Sequence, residues 1–238
     1  MWVMFTCENK EVCQQTLNAL ERLEGRNLLV INGGKDDYTG DTDGLMVPPN
    51  WDVVRFPEVM GMCQIMQILF KQFPNEQFYG IIPENCIIES SGWEDKLKQL
   101  SAGRMIVSAN DGNEAPIAFT GVQYWSGDLV RKVGWWGQPD LHSSCNDWMW
   151  TKIAWDMVCW DRAMQVKVTY LPRKKSAMDD AIMANHAKDK ETFEKWRDKD
   201  YHRIFRRLFF ETDKWGGKTR FKKDESNGQQ NQQTNSVT

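Results

Sequence analysis

Residues 56–97, FPEVMGMCQIMQILFKQFPNEQFYGIIPENCIIESSGWEDKL, decide how the chain is read. Over 61–73, Met62, Ile65, Met66, Leu69 and Phe70 recur at three- and four-residue spacing, the period of a helix with one apolar face. An apolar run at 77–90, broken at Pro83, suits a buried strand, and 93–100 has the length of a short helix. The flanks keep this alternation. Upstream, WVMFTC (2–7) reads as a strand and 9–23 as a helix with Val12, Thr16, Ala19, Leu20 and Leu23 on one side; NLLVINGG (27–34) and WDVVRFP (51–57) are two further strands. Downstream, 104–112 and 117–125 read as strands, and SGDLVRKVG (126–134) as a helix capped by Ser126 and closed by Gly134. A loop over 135–144 leads to a tryptophan-rich helix ending near residue 160, and 164–171 alternates like an edge strand ended by Pro172. Such alternation of strands and helices predicts an α/β fold.

Composition narrows the class. A 41% hydrophobic and a 26% charged share lie near globular averages, and no apolar run reaches the roughly 18 residues of a membrane helix. The start lacks the basic region and cleavage site of a signal peptide, so a soluble, cytoplasmic protein without membrane partners is expected. Cys7, Cys13, Cys63, Cys86, Cys145 and Cys159 show no CxxC, and with only His142, His186 and His202 beside them a Cys/His zinc site is not expected. Neither GxGxxG nor GxxxxGK[ST] follows the first strand, and no GxSxG occurs, which removes the common dinucleotide, P-loop and serine hydrolase readings.

Charge divides the chain. Residues 1–172 hold 14 Lys and Arg against 22 Asp and Glu, whereas 173–238 hold 16 against 11. The division expected is a domain at 1–172, a basic helical extension at 173–214 and a flexible polar tail at 215–238 with almost no apolar content. Arg203, Arg206, Arg207, Lys214, Lys218, Arg220, Lys222 and Lys223 concentrate the positive charge, either as a solvated face or as a surface for an anionic partner such as DNA.

The loops after the expected strands carry Lys35, Asp36 and Asp37; Glu84 and Asn85; Asn110 and Asp111; and Asp128. Polar groups at the carboxyl ends of strands are where an open α/β sheet binds its ligand. Asp41-Thr42-Asp43 matches a DxD pattern but sits in a Gly/Asp/Thr-rich loop, so it reads as a decoy.

The segment 56–97, followed by VSANDG (107–112), WSGDLVRKVGWW (125–136), a proline loop with His142 and CNDWMW (145–150), resembles GT-A glycosyltransferases, small bacteriophage-type members in particular. The likeness spans about residues 1–172 and implies a Rossmann-like mixed sheet flanked by helices. It places Glu84 and Asn85 at the family's DxD turn, as ligands of a divalent cation, Mg²⁺ or Mn²⁺, although only one of them is acidic. Thr6, Cys7, Lys35, Asp36, Asp37, Gly61 and Asp128 fall among the donor contacts that it implies. Asp147 takes the place of the carboxylate that deprotonates the acceptor, and Trp125, Trp135, Trp136 and His142 flank it as stacking or acceptor-side groups. Many relatives put a histidine ligand where this chain has PRKKSAMDD; His186 is a poor substitute, and Arg173, Lys174 and Lys175 offer positive charge to the diphosphate instead.

The reading is a transferase moving a sugar from a nucleotide-sugar donor to an acceptor hydroxyl, with modified DNA bases among the acceptors and the host cytoplasm as its location if phage-encoded. A non-catalytic nucleotide- or sugar-binding module of the same fold and a nucleotidyltransferase are the alternatives.

Overall fold

The structure is a computed structural model, and it describes residues 1–20, 23–33, 44–101, 105–112 and 121–210. Among these, strands β1 (Trp2–Thr6), β2 (Asn27–Asn32), β3 (Trp51–Phe56), β4 (Phe78–Pro83), β5 (Cys86–Ile88), β6 (Ile106–Asn110), β7 (Gln123–Ser126) and β8 (Trp160–Tyr170) form one sheet in the order β3-β2-β1-β4-β7-β6-β8-β5. The β3-β2-β1-β4 half is parallel. β7 runs antiparallel to both β4 and β6, and β5 antiparallel to β8. Helices α1 (Lys10–Ala19), α2 (Met62–Gln72), α3 (Trp93–Ser101), α4 (Gly127–Val133), α5 (Asn146–Met157), α6 (Ala177–Lys195) and α7 (Tyr201–Phe210) cover the two faces, with a π-helical turn at Trp196–Asp200 joining the last two. Among the described residues, no helix is long and apolar enough to cross a membrane.

The strand period of two sorts the side chains into two cores. Val3, Phe5, Leu28 and Val30 face α2, α4, α5 and α7, while Trp2, Met4, Leu29 and Ile31 face α1 and α3. β1 is buried throughout, as expected of a strand covered on both faces. Gly80 on β4 lets the Trp2 ring lie flat against the backbone, since a Cβ there would overlap that ring. Ser126 accepts the Leu129 N–H at 3.2 Å and Gly134 closes α4 at φ +90°, the cap and stop that the sequence signals.

Several sequence expectations change. The run at 77–90 is two strands, because the chain turns at Glu84 and Asn85 and sends β5 to the far side of the sheet. The stretch at 164–171 belongs to β8, which has neighbours on both sides and is therefore not an edge. The extension does not stand apart from the domain. Trp196, Tyr201 and Leu208 are buried within the core beside Trp135 and Trp150, so apolar side chains between 196 and 208 complete the hydrophobic face of α5. The tail at 215–238 lies outside the described residues.

Candidate active site

Chain order and sheet order disagree at one informative place. From β1 the chain runs outward to β2 and β3, then returns to the other side of β1 as β4. The helix that leaves β1, α1, packs on one face of the sheet and the helix that leads into β4, α2, on the other, so the strand order reverses beside β1, where an open sheet ordinarily binds its ligand beyond the carboxyl ends. A cleft of about 430 Å³ lies there, inside the usual span of about 300–1,000 Å³ for small-molecule sites. Its floor is apolar, with Phe5, Ile81, Met66, Trp125 and Trp150, and its rim is polar, with Glu84, Asn85, Asp147, Arg173, Asp179 and His186.

Glu84 ends β4 and ties it to β1. One carboxylate oxygen accepts the Cys7 N–H at 3.3 Å, and the other accepts the Asn9 side-chain amide at 3.0 Å. Burial pushes this carboxyl above its ordinary pKa, against the hydrogen bonds of Cys7 and Asn9 and the positive charge of Arg173. Asn85 donates its side-chain amide to the Leu171 carbonyl at 2.9 Å, while its backbone carbonyl accepts the Leu171 N–H at 2.6 Å. Both carboxylate oxygens of Glu84 are therefore bound to protein groups, and Asn85 is tied to Leu171 through its amide nitrogen and backbone carbonyl. A hard divalent cation takes about six oxygen ligands, and among the described residues no group of three His, Cys, Asp or Glu is placed to hold a metal. The expected pair does not by itself fit the cation.

Opposite Glu84, Arg173 grips Asp179 through two hydrogen bonds of 2.6 and 2.7 Å. The guanidinium and the Ser176 cap hold the Asp179 carboxyl well below the ordinary range. Ser176 caps α6, and the Ala177 N–H donates to Glu8 at 2.9 Å, which seats the start of α6 over the end of β1.

Asp147 stands in the first turn of α5 and faces the cleft. Partial desolvation raises its carboxyl pKa, while the N–H groups of the helix start and nearby His186 oppose that rise. The loop delivering it is held from three sides. Cys63 donates its N–H to the His142 carbonyl at 3.0 Å, the Met62 N–H donates to Ser143 Oγ at 2.9 Å, and Gln138 donates its N–H to Asn146 Oδ1 at 3.1 Å. From α6, Asp189, only 1% exposed, accepts the N–H groups of His142, Ser143 and Ser144 at 2.8–2.9 Å and the Ser144 hydroxyl at 3.0 Å.

The structure thus brings Glu84, Asn85 and Asp147 to one cleft, with Thr6 and Cys7 buried beneath its edge and His142 in the loop behind it. Asp128 is not with them. β7 runs antiparallel, so its carboxyl end lies at the opposite edge of the sheet, where Asp128 pairs with Arg131. Gly61 is required by packing, because a Cβ there would strike the His142 carbonyl. Trp125, Trp135 and Trp136 are buried in the core, with Trp125 also lining the cleft floor. At 2%, 7% and 0% exposure they pack edge to face among themselves and with Trp150, with ring centroids 4.9–6.1 Å apart. Lys35, Asp36, Asp37, Asp41 and Asp43 lie outside the described residues. Asp189 and Trp148 escaped the sequence reading, since an aspartate inside HAKDKETF looks like a solvated helix face and one tryptophan among twelve carries no mark of exposure.

No family model and no curated sequence matches the chain. Its fold is similar to that of several solved structures. A crystal structure of GalNAc-T7 with UDP, GalNAc and Mn²⁺ superposes with a TM-score of 0.58 at 11% identity, over 73% of this chain and 44% of that one. The mannosyltransferase PcManGT from Pyrobaculum calidifontis, with GDP-Man and Mn²⁺, gives 0.58 at 12% identity over 92% and 75%. TarS 1–349 of S. aureus with UDP-GlcNAc gives 0.57 at 10% identity over 74% and 59%. The chain thus spans less than half of the first of these and somewhat more of the other two. Sheet order, flanking helices and these superpositions together make this a GT-A-like α/β fold.

Proposed function

We propose that the protein is a nucleotide-sugar-dependent glycosyltransferase. The observation that carries the proposal is the placement of Asp147, a carboxylate at a helix start on the rim of the β1/β4 crevice of a GT-A-like fold. The three neighbours were solved with UDP, GDP-Man or UDP-GlcNAc, which supports a donor of that class here.

In this reading an acceptor hydroxyl attacks the anomeric carbon of the donor, and the bond from that carbon to the diphosphate oxygen breaks. Its electron pair leaves with the nucleoside diphosphate, and the hydroxyl proton passes to Asp147. A carboxylate suits this role because its basicity rises as water is excluded, while the helix start keeps it ionised until a proton is offered. Among the described residues Arg173 is the cation whose charge acts on Glu84, and an arriving diphosphate would share or replace Asp179 as its partner. A divalent cation, when bound, would supply charge neutralisation of the diphosphate. The described residues do not assemble its ligands, and no step above depends on it.

The test is a donor screen that follows release of UDP, GDP, CMP or TMP with and without Mn²⁺, since slow donor hydrolysis reports the site without an acceptor. Turnover of at least one nucleotide sugar, lost in Asp147→Asn, is the expected result. Binding of nucleoside diphosphate with no turnover of any donor would instead establish the non-catalytic module. Absence of both would remove the nucleotide-sugar reading.

A further inference from the structure

Twelve tryptophans occur in the chain, and the one that follows Asp147 differs from those buried around it. Trp148 is 40% exposed and lines the cleft, whereas Trp2, Trp125, Trp136 and Trp150 are fully or almost fully buried. Two rings on α6 stand nearly perpendicular to it: His186, 6.1 Å away at 89°, and Phe193, 5.5 Å away at 78°. They set its orientation through edge contacts, so the indole is a fixed plate on the cleft wall and not a swinging side chain.

We infer that Trp148 is the platform for a neutral pyranose ring, and that it holds the sugar whose hydroxyl meets Asp147. This inference rests on the transferase reading above and deepens its acceptor side. An indole face is electron-rich, and the C–H groups on one face of a pyranose are its complement. A ring lying on that plate turns its hydroxyls toward the adjoining rim, where Asp147 accepts hydrogen bonds and His186 offers ring nitrogens. Adjacency in the chain gives the geometry its force, because consecutive residues at a helix start cannot move independently.

Cleft charge selects the class of acceptor. Among the described residues, the charged side chains lining the cleft are Glu84, Asp147 and Asp179 against Arg173, whose guanidinium is already joined to Asp179. Arg173 is the one Lys or Arg among the described lining residues, and the reading above gives it to the donor diphosphate, so no cation is left there for a phosphate backbone and the acceptor side suits a neutral glycan. Among the described basic residues, Arg207 is committed to the Val133 carbonyl at 2.8 Å, on α4 and away from this rim. A sugar on a glycan is therefore favoured over a nucleobase in DNA.

The experiment is saturation-transfer NMR on the full chain with methyl glycosides of glucose, galactose, mannose and N-acetylglucosamine, alone and with UDP or GDP, and with a short DNA duplex as a separate arm. At least one glycoside should receive saturation. Trp148→Ala should weaken its binding about tenfold, the scale of one lost aromatic contact. Trp148→Phe should keep most of it, and Trp155→Ala, a change at a 64% exposed indole further along α5, should leave it unchanged. Absence of transfer to every glycoside, retention of transfer in Trp148→Ala, or Trp148-dependent binding of DNA in place of sugar would each overturn the inference. Calorimetry with UDP and GDP keeps the two readings apart, because a Trp148-dependent glycoside without nucleotide binding sinks the transferase proposal and leaves the sugar platform standing.

Discussion

Asp189→Ala removes the acceptor that anchors the loop in front of α5, and its cost can be worked from the contacts. Four donors lose a carboxylate: the N–H groups of His142, Ser143 and Ser144 and the Ser144 hydroxyl. Ser143 is buried, so its N–H bears the full penalty of about 1–3 kcal/mol for an unsatisfied donor. His142 and Ser144 are only half-buried, and water can recover part of their loss. Because the four bonds share one partner they do not add independently, and we expect about 3–4 kcal/mol of destabilisation in urea unfolding at neutral pH. Asp189→Asn keeps one carbonyl oxygen but turns an NH₂ toward a backbone N–H, so it should fall between alanine and wild type. The pH dependence has a definite sign. Burial opposes ionisation of Asp189, yet the three N–H groups and the hydroxyl outweigh it and hold the carboxyl below its ordinary pKa. The unfolded chain then binds the proton more readily, so this stabilisation is present above the ordinary aspartate pKa and is lost as pH falls through the lower, folded value. The variant should show a shallower acid limb than wild type. An alanine variant within about 0.5 kcal/mol of wild type, or one with an unchanged acid limb, would refute the anchoring role.

Asp147→Asn should leave nucleoside diphosphate affinity unchanged by calorimetry and lower turnover by at least about a hundredfold. Since desolvation raises the Asp147 pKa, the acid limb of the wild-type rate profile should lie above the ordinary aspartate range, with activity rising as the carboxyl ionises. Glu84→Gln should gain stability relative to wild type as pH increases, because the folded-state pKa of Glu84 is raised and its contribution is lost as pH climbs through that value; parallel urea titrations at acid and neutral pH check the sign. Gly80→Ala should cost about 3 kcal/mol or more in the same assay, since its methyl meets the buried Trp2 ring beside a second core ring, Phe78, and neither can withdraw.

Local pattern was enough for the elements. The three- and four-residue spacing at 61–73 became α2, the apolar run of β1 became a strand covered on both faces, and Ser126 and Gly134 bounded α4, because propensity, caps and periodicity act within a few residues. Pattern likewise pointed to Glu84 and Asn85, which follow a strand, whereas Asp147 came from the resemblance of CNDWMW to the family's base position. What it could not supply was direction. Asp128 looked equivalent to Glu84 as an acid after a strand, and only the antiparallel run of β7 sends it to the far edge of the sheet. The tryptophans were similarly ambiguous, since Trp136 and Trp148 differ in where the chain packs and not in chemistry. Asp189 lies more than forty residues from the loop it anchors, and its meaning exists only once α6 folds back over α5. Local windows of the chain were enough for the α/β elements and for the acids that end strands or open helices. Which of them share a cleft was decided by the tertiary structure, because strand direction and helix docking are set by long-range burial that no local window contains.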